Sequence, residues 1–239
     1  MLEVRDISWQ ALGGEQVLDR VSLQVKAGGL IAVTGPNGSG KSTLLKIIAG
    51  LERPAGGEIL LEGEDISSLD VTARAKKGVC LAFQQPVRFK GFTVGRLLEL
   101  AAGRPLSQEQ ACALLAQAGL CGREYLSRQA DSSLSGGEMK RLEISTVLAR
   151  KGRLLLFDEP EAGIDLWSFP GLVSVFKTLK RQGGKSLLLV SHQERLLETA
   201  DEILVLEKGR ITEQGPPAKV LPRLSLSCPG CGRGEAVPL

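Results

Sequence analysis

The chain has 239 residues, of which 43% are hydrophobic and 24% charged, with a net charge of +3. That balance suits a globular protein with a sizeable core, built as one large domain or as a core carrying an inserted subdomain. Aromatic residues make up only 4%, and Lys and Arg are scattered without a run of five. Stacking platforms for single-stranded nucleic acid and a purely electrostatic nucleic-acid or membrane partner are therefore not expected.

The opening "MLEVRDISW" has no basic segment followed by an apolar one, so no signal peptide is expected. Apolar runs such as "LLLF" (154–157) are strand-sized, far short of a membrane span. The five cysteines, Cys80, Cys112, Cys121, Cys228 and Cys231, are odd in number and irregularly spaced, which fits a reducing cytosol better than a disulfide framework. A cytoplasmic protein is expected, one that reaches a membrane only through a partner.

In chain order, the alternation at 2–7 and again at 21–25 predicts two strands of an N-terminal antiparallel sheet, joined through Gly13 and Gly14. "LIAV" (30–33) reads as a strand buried on both faces. The apolar spacing at 44–49, with Gly50 as stop, predicts a helix. "GGEILLEGEDI" (56–66) is a strand and turn. From about 86 to 150 the pattern becomes helical. "TVGRLLELAAG" is one helix. "SQEQACALLAQAG" is a second, with a capping box from Ser107 to Gln110 and a glycine stop at Gly119. A third begins near Gly136. Strand and helix then alternate through "RLLLFDEP", "FPGLVSVFKTLKRQGG", "KSLLLVSH", "QERLLETA" and "DEILVLEKGRI", which implies a parallel sheet. The fold class is α/β, with an N-terminal antiparallel subdomain, a single domain over 1–225 and a helical insert at about 86–150. The Pro- and Gly-rich tail is expected to be loose after about residue 225.

"GPNGSGKST" (Gly35, Pro36, Asn37, Gly38, Ser39, Gly40, Lys41, Ser42, Thr43) is a complete phosphate-binding loop between a predicted strand and a predicted helix. Its backbone N–H groups turn inward, Lys41 reaches β and γ phosphate oxygens, and Ser42 holds Mg²⁺. "RLLLFDEP" ends an apolar strand in two carboxylates: Asp158 to hold water on the ion, Glu159 to polarise an attacking water. In "LSGGE" (134–138), Ser135 and the N–H groups of Gly136 and Gly137 open a helix and form a second anion cradle. Carried on an insert, that cradle cannot easily fold onto the first. A dimer, in which each chain closes the other's nucleotide, solves the problem.

These motifs and their order resemble the ATP-binding-cassette (ABC) ATPases. "GPNGSGKST" resembles the Walker A loop, Gln84 the Q-loop glutamine, "LSGGE" the signature, "LLLFDEP" Walker B, "AGID" the D-loop ending in Asp165, and His192 the switch histidine. His192 is the only histidine, and it follows a strand whose carboxyl end should face ligand in a parallel sheet. The resemblance implies a P-loop NTPase core, ATP and Mg²⁺, hydrolysis to ADP and phosphate, and an ATP-dependent head-to-tail homodimer. It also implies Mg²⁺ or water contact by Gln84, and a partner-gripping groove at 86–94, with Val87, Phe89 and Phe92 as its contacts. The aromatic ring the family sets against adenine is not obvious: Trp9 is the nearest, with Ala11 or Leu12 as alternatives.

Within the family, "LAFQQP", "SGGEMKRLEI" and "DEPEAGIDLWSF" resemble the SufC group of soluble cassettes. That implies iron–sulfur cluster assembly on a SufB/SufD-like scaffold. The alternative is the nucleotide-binding subunit of a metal or vitamin transporter. "CPGC" (228–231) raises a further possibility, transient metal binding by Cys228 and Cys231, although a structural zinc would need four ligands.

Overall fold

The computed structural model describes residues 1–85, 87–131 and 133–226. Ten strands and nine helices are seen among these. The N-terminal hairpin is β1 (Leu2–Gln10) and β2 (Gln16–Val25), followed by β3 (Leu30–Thr34) and α1 (Lys41–Ala49). Next come β4 (Gly56–Leu61), β5 (Glu64–Asp65), α2 (Val71–Lys76) and β6 (Val79–Ala82). Four helices then run in succession: α3 (Val94–Ala102), α4 (Gln108–Gln117), α5 (Gly122–Tyr125) and α6 (Gly136–Ala149). The chain continues through β7 (Leu154–Asp158), α7 (Phe169–Gln182), β8 (Ser186–Val190), α8 (Glu194–Leu197), β9 (Glu202–Glu207), β10 (Arg210–Gly215) and α9 (Pro217–Leu226).

The strands form two sheets. One is antiparallel, ordered β2-β1-β4-β5; the other is ordered β10-β9-β3-β8-β7-β6 and is parallel except for β10. Strand periodicity places successive side chains on opposite faces. Ile31 and Val33 of β3 therefore join α1 and the antiparallel sheet in one core, while Leu30 and Ala32 face α6, α7 and α9 in another. A third core, including Val94, Leu98, Leu115 and Leu142, unites α3, α4 and α6. β3, β6, β7 and β8 run parallel, so their carboxyl ends meet along one edge, where an open α/β sheet binds ligands.

Several sequence expectations need correction. β1 and β2 are longer than the alternating runs. Register shifts and positive φ at Asp6 (49°) and Arg20 (50°) break the period while the pairing continues. "DEILVLEKGRI" is not one strand of a parallel array. It turns at Lys208 and Gly209, both at positive φ, and returns as the antiparallel edge strand β10. Residues 217–226, to which sequence reasoning assigned no element, form a helix whose Val220 is fully buried; Pro217 begins it, where a missing N–H is harmless. α2 and α5 carry no signal that sequence reasoning used. The predictions for Cys228, Cys231 and the rest of the tail beyond Leu226 lie outside the described residues, as does Pro86.

Candidate nucleotide site

α1 starts on the phosphate loop. Gly35 has φ of 141°, and a Cβ there would lie 2.0 Å from Leu206 O; Gly40 has φ of 102°, and its Cβ would lie 2.6 Å from Leu18 Cδ2. Only glycine fits either position. The loop thus curls against β2 and β9, and the N-terminus of α1 opens into the cleft. Lys41 Nζ donates to the Gly35 and Pro36 carbonyls, both at 2.8 Å. Burial depresses its pKa, while the charges of Glu159 and Asp158 oppose that shift. Ser39 Oγ is buried and has no hydrogen-bond partner among the described residues. An orphaned hydroxyl inside a loop of inward N–H groups is what an arriving phosphate oxygen would satisfy.

The other elements bring carboxylates and amides to the same edge. Ser42 Oγ donates to Asp158 Oδ1 at 3.0 Å. Burial raises the Asp158 pKa and the Ser42 hydrogen bond opposes the rise, so a bound cation would favour its ionised form. These hard oxygen donors suit Mg²⁺. Glu159 lies one residue past β7, its N–H bonded to Val190 O. Its Oε2 accepts from Gln84 Nε2 at 2.8 Å, and its Oε1 lies 3.4 Å from His192 Nε2. Gln84 and His192, far apart in the sequence, therefore converge on the Glu159 carboxylate. Val17, which sequence reasoning missed, lines the same cleft as Lys41, Thr43 and Gln84. Trp9 instead packs against the sandwich core and Leu12 is fully exposed on the hairpin.

Sequence reasoning also missed Glu161. Its Oε1 accepts from Ser191 Oγ at 2.5 Å and from His192 N at 3.2 Å, while Ser191 Oγ accepts from Gln193 N. It fixes the turn that carries His192. The signal was a third carboxylate inside a phosphate-facing turn.

The second cradle is well built. Ser135 Oγ accepts from Glu138 N, and Glu138 Oε2 accepts from Ser135 N at 2.7 Å, a complete capping box. Tyr125 donates to Glu138 Oε1 and Arg128 lies 4.7 Å above the Tyr125 ring; together they hold the Glu138 carboxyl below its ordinary range. Gly137 lies beneath Gly163 O, 3.4 Å from where a Cβ would sit. Asp165 Oδ1 accepts from Ser168 N at 2.9 Å, and Arg141 Nη2 donates to Ser168 Oγ. The turn containing Asp165 is thereby fastened to α6.

Residues 18–162 match the ABC transporter family. The ABC transporter ATP-binding protein MJ0035 of Methanocaldococcus jannaschii is 35% identical over 97% of this chain and 95% of its own length. The sulfate/thiosulfate import ATP-binding protein CysA of Bordetella parapertussis is 35% identical over 93% of this chain, which spans 64% of that protein's length. The energy-coupling factor transporter ATP-binding protein EcfA of Methanothermobacter thermautotrophicus is 31% identical over 96% of this chain and 77% of its own. The ATP-binding cassette MJ0796, solved as a dimer after hydrolysis with ADP and Pi, superposes with a TM-score of 0.81 at 25% identity, over 91% of this chain and 99% of that one.

The fold and the edge-of-sheet phosphate cleft define a P-loop ATPase of the cassette type. The chain belongs to the ABC transporter family. It binds and hydrolyses ATP with Mg²⁺. Among the described residues no helix is long and apolar enough to cross a membrane.

Proposed function

We propose that this chain is the nucleotide-binding subunit of an ABC transporter and works as an ATP-dependent head-to-tail homodimer. One observation carries the reading. The Gln84 side chain bonds the Glu159 carboxylate, while its neighbour Phe83 lines an exposed apolar groove with Val87 and Phe89. A partner seated in that groove is one residue from the hydrolytic carboxylate. The relatives' names favour transport over the iron–sulfur assembly that the SufC resemblance implied, because those described above are transporter proteins over nearly the whole chain.

In this reading Lys41 exchanges its two loop carbonyls for β and γ phosphate oxygens, with N–H groups of the loop after Pro36 and Ser39 Oγ around them. Ser42, Asp158 and Gln84 hold Mg²⁺, which when bound neutralises phosphate charge. Glu159 accepts the proton of the attacking water, and Gln84 and His192 orient its carboxylate. Ser135, Gly136, Gly137 and Asp165 close the partner copy's nucleotide.

The test is to purify the tagged chain from native cytosol and from detergent-solubilised membranes and to identify what accompanies it. A multi-span membrane protein is expected in the detergent fraction. A soluble SufB/SufD-like scaffold in the cytosolic fraction would overturn the transport reading in favour of cluster assembly, with the ATPase chemistry unchanged.

A further inference from the structure

The α6 helix carries a buried ion pair that the chemistry above does not use. Lys140 is completely buried, and its Nζ donates to Phe83 O and, at 3.2 Å, to Gln84 O. Glu143, one turn on and nearly buried, has Oε2 3.1 Å from the same Nζ, an ion pair without hydrogen-bond geometry. Its Oε1 accepts from Phe83 N at 2.8 Å. One i,i+3 pair therefore grips three backbone groups on two consecutive residues: the Phe83 N–H, the Phe83 carbonyl and the Gln84 carbonyl. β6 has ended at Ala82, and the next backbone-to-backbone anchor along this stretch is Phe89 N to Ala130 O. Between them, among the described residues, the Phe83–Gln84 backbone is held by these two side chains.

A buried ion pair is weak evidence of a stability role, since apolar residues of similar volume often replace one without loss. Its specific product here is the placement of a backbone segment. That segment has the Gln84 amide on one side, bonded to Glu159, and the Phe83 ring on the other, lining the groove. The same helix begins at Ser135, the cap of the second anion cradle.

We propose that Lys140 and Glu143 are positioning residues that clamp the Phe83–Gln84 backbone to α6, so that Gln84, the groove and the Ser135 end of the helix move as one body. The proposal rests on the role given to Gln84 above. It makes α6 the rigid link between a chain's own hydrolytic carboxylate and the cradle it offers to its partner copy.

The test is a double-mutant cycle on the full chain, with K140M/E143L as the clamp variant and Gln84→Ala as the reference. The clamp variant keeps the shape of the core and should fold, with a somewhat lower melting temperature from the unpaired Phe83 and Gln84 backbone groups; its ATP Kd should stay close to wild type because the phosphate loop is untouched. Its kcat should fall at least tenfold, and combining it with Gln84→Ala should give no further loss beyond Gln84→Ala alone. A general packing defect would instead multiply the two losses. Should the double variant not fold, Lys140→Met alone carries the same cycle: burial already biases the Glu143 carboxyl toward its protonated form, so it can stay inside without the ammonium. A clamp variant with wild-type kcat, or losses that multiply, overturns the proposal while leaving Gln84 in place. Wild-type turnover by Gln84→Ala itself overturns the role of Gln84, and the proposal falls with it.

Discussion

Glu159 follows β7 with φ of 45°, a left-handed conformation that a non-glycine residue adopts at a cost of about 1–3 kcal/mol. That backbone turns its carboxylate toward both Gln84 and His192. Glu159→Gln keeps the size and the hydrogen-bonding reach but cannot accept the proton of water. Phosphate release should fall by about 10² or more, while equilibrium ATP binding is retained and the nucleotide-bound dimer accumulates. Full turnover would remove Glu159 from the role of base. Glu161 makes a pH prediction. Burial raises its pKa, and its bonds from Ser191 and His192 only partly oppose this. A folded carboxyl that holds its proton more tightly than the unfolded one favours folding at acid pH. It opposes folding as pH rises above the ordinary value of 4.5. Glu161→Gln keeps an acceptor for Ser191 and has no charge to bury. Its melting temperature should therefore gain on wild type between pH 4 and pH 8. A difference that does not change with pH would mean that this carboxyl titrates alike in both states.

The phosphate-loop helix α1 is held at both ends by features of different legibility. Its start was readable, because strand, glycine loop and helix form a single motif. Its finish was readable in part, in the left-handed C-cap Gly50, whose N–H bonds Ile47 O; the second support, Arg74, is 1% exposed and was not readable. Arg74 Nη1 donates to Ile47 O and Ile48 O at 2.7 and 3.0 Å, two carbonyls in the last turn of α1, and Nε and Nη2 donate to Leu69 O and Ser67 O. An arginine 25 residues beyond a helix gives no local sign that it caps it. The guanidinium fork matches several carbonyls at once, which an ammonium cannot do. Arg74→Met should cost about 2–4 kcal/mol through orphaned buried carbonyls, read as a lower urea midpoint at unchanged m value. Arg74→Lys should recover little of that. The capping boxes at Ser107 and Ser135 were legible for the opposite reason, since donor and acceptor lie three residues apart. β10 and α9 were not: their identity depends on an edge left open by β9 and on the apolar face that covers Val220. The clamp on Phe83 and Gln84 was equally hidden, because its partners are 56 to 60 residues apart.

At the scale of the whole molecule, the phosphate site and the groove open from the same corner, where β6 gives way to residues 83–93. The groove lies between α3 and α6, with Leu97, Met139 and Leu142 in its wall. Phe83, Val87 and Phe89 remain 39%, 52% and 39% exposed. Apolar side chains left open together mark a contact surface more often than a free one. Phe89 lines the groove and is not among the residues lining the phosphate cleft, so it separates docking from chemistry. Phe89→Asp places a charge that a seated apolar partner would have to desolvate without a counter-ion. The isolated variant should bind ATP and hydrolyse it within about twofold of wild type, since a surface change away from a site leaves both nearly unaltered. Co-purification with the membrane protein expected under the transport proposal should be lost. If ATP binding fails as well, Phe89 supports the cleft from beneath and the groove is part of the core. If the partner still co-purifies, it grips the cassette elsewhere, and the short path from groove to Gln84 to Glu159 cannot be how it senses nucleotide.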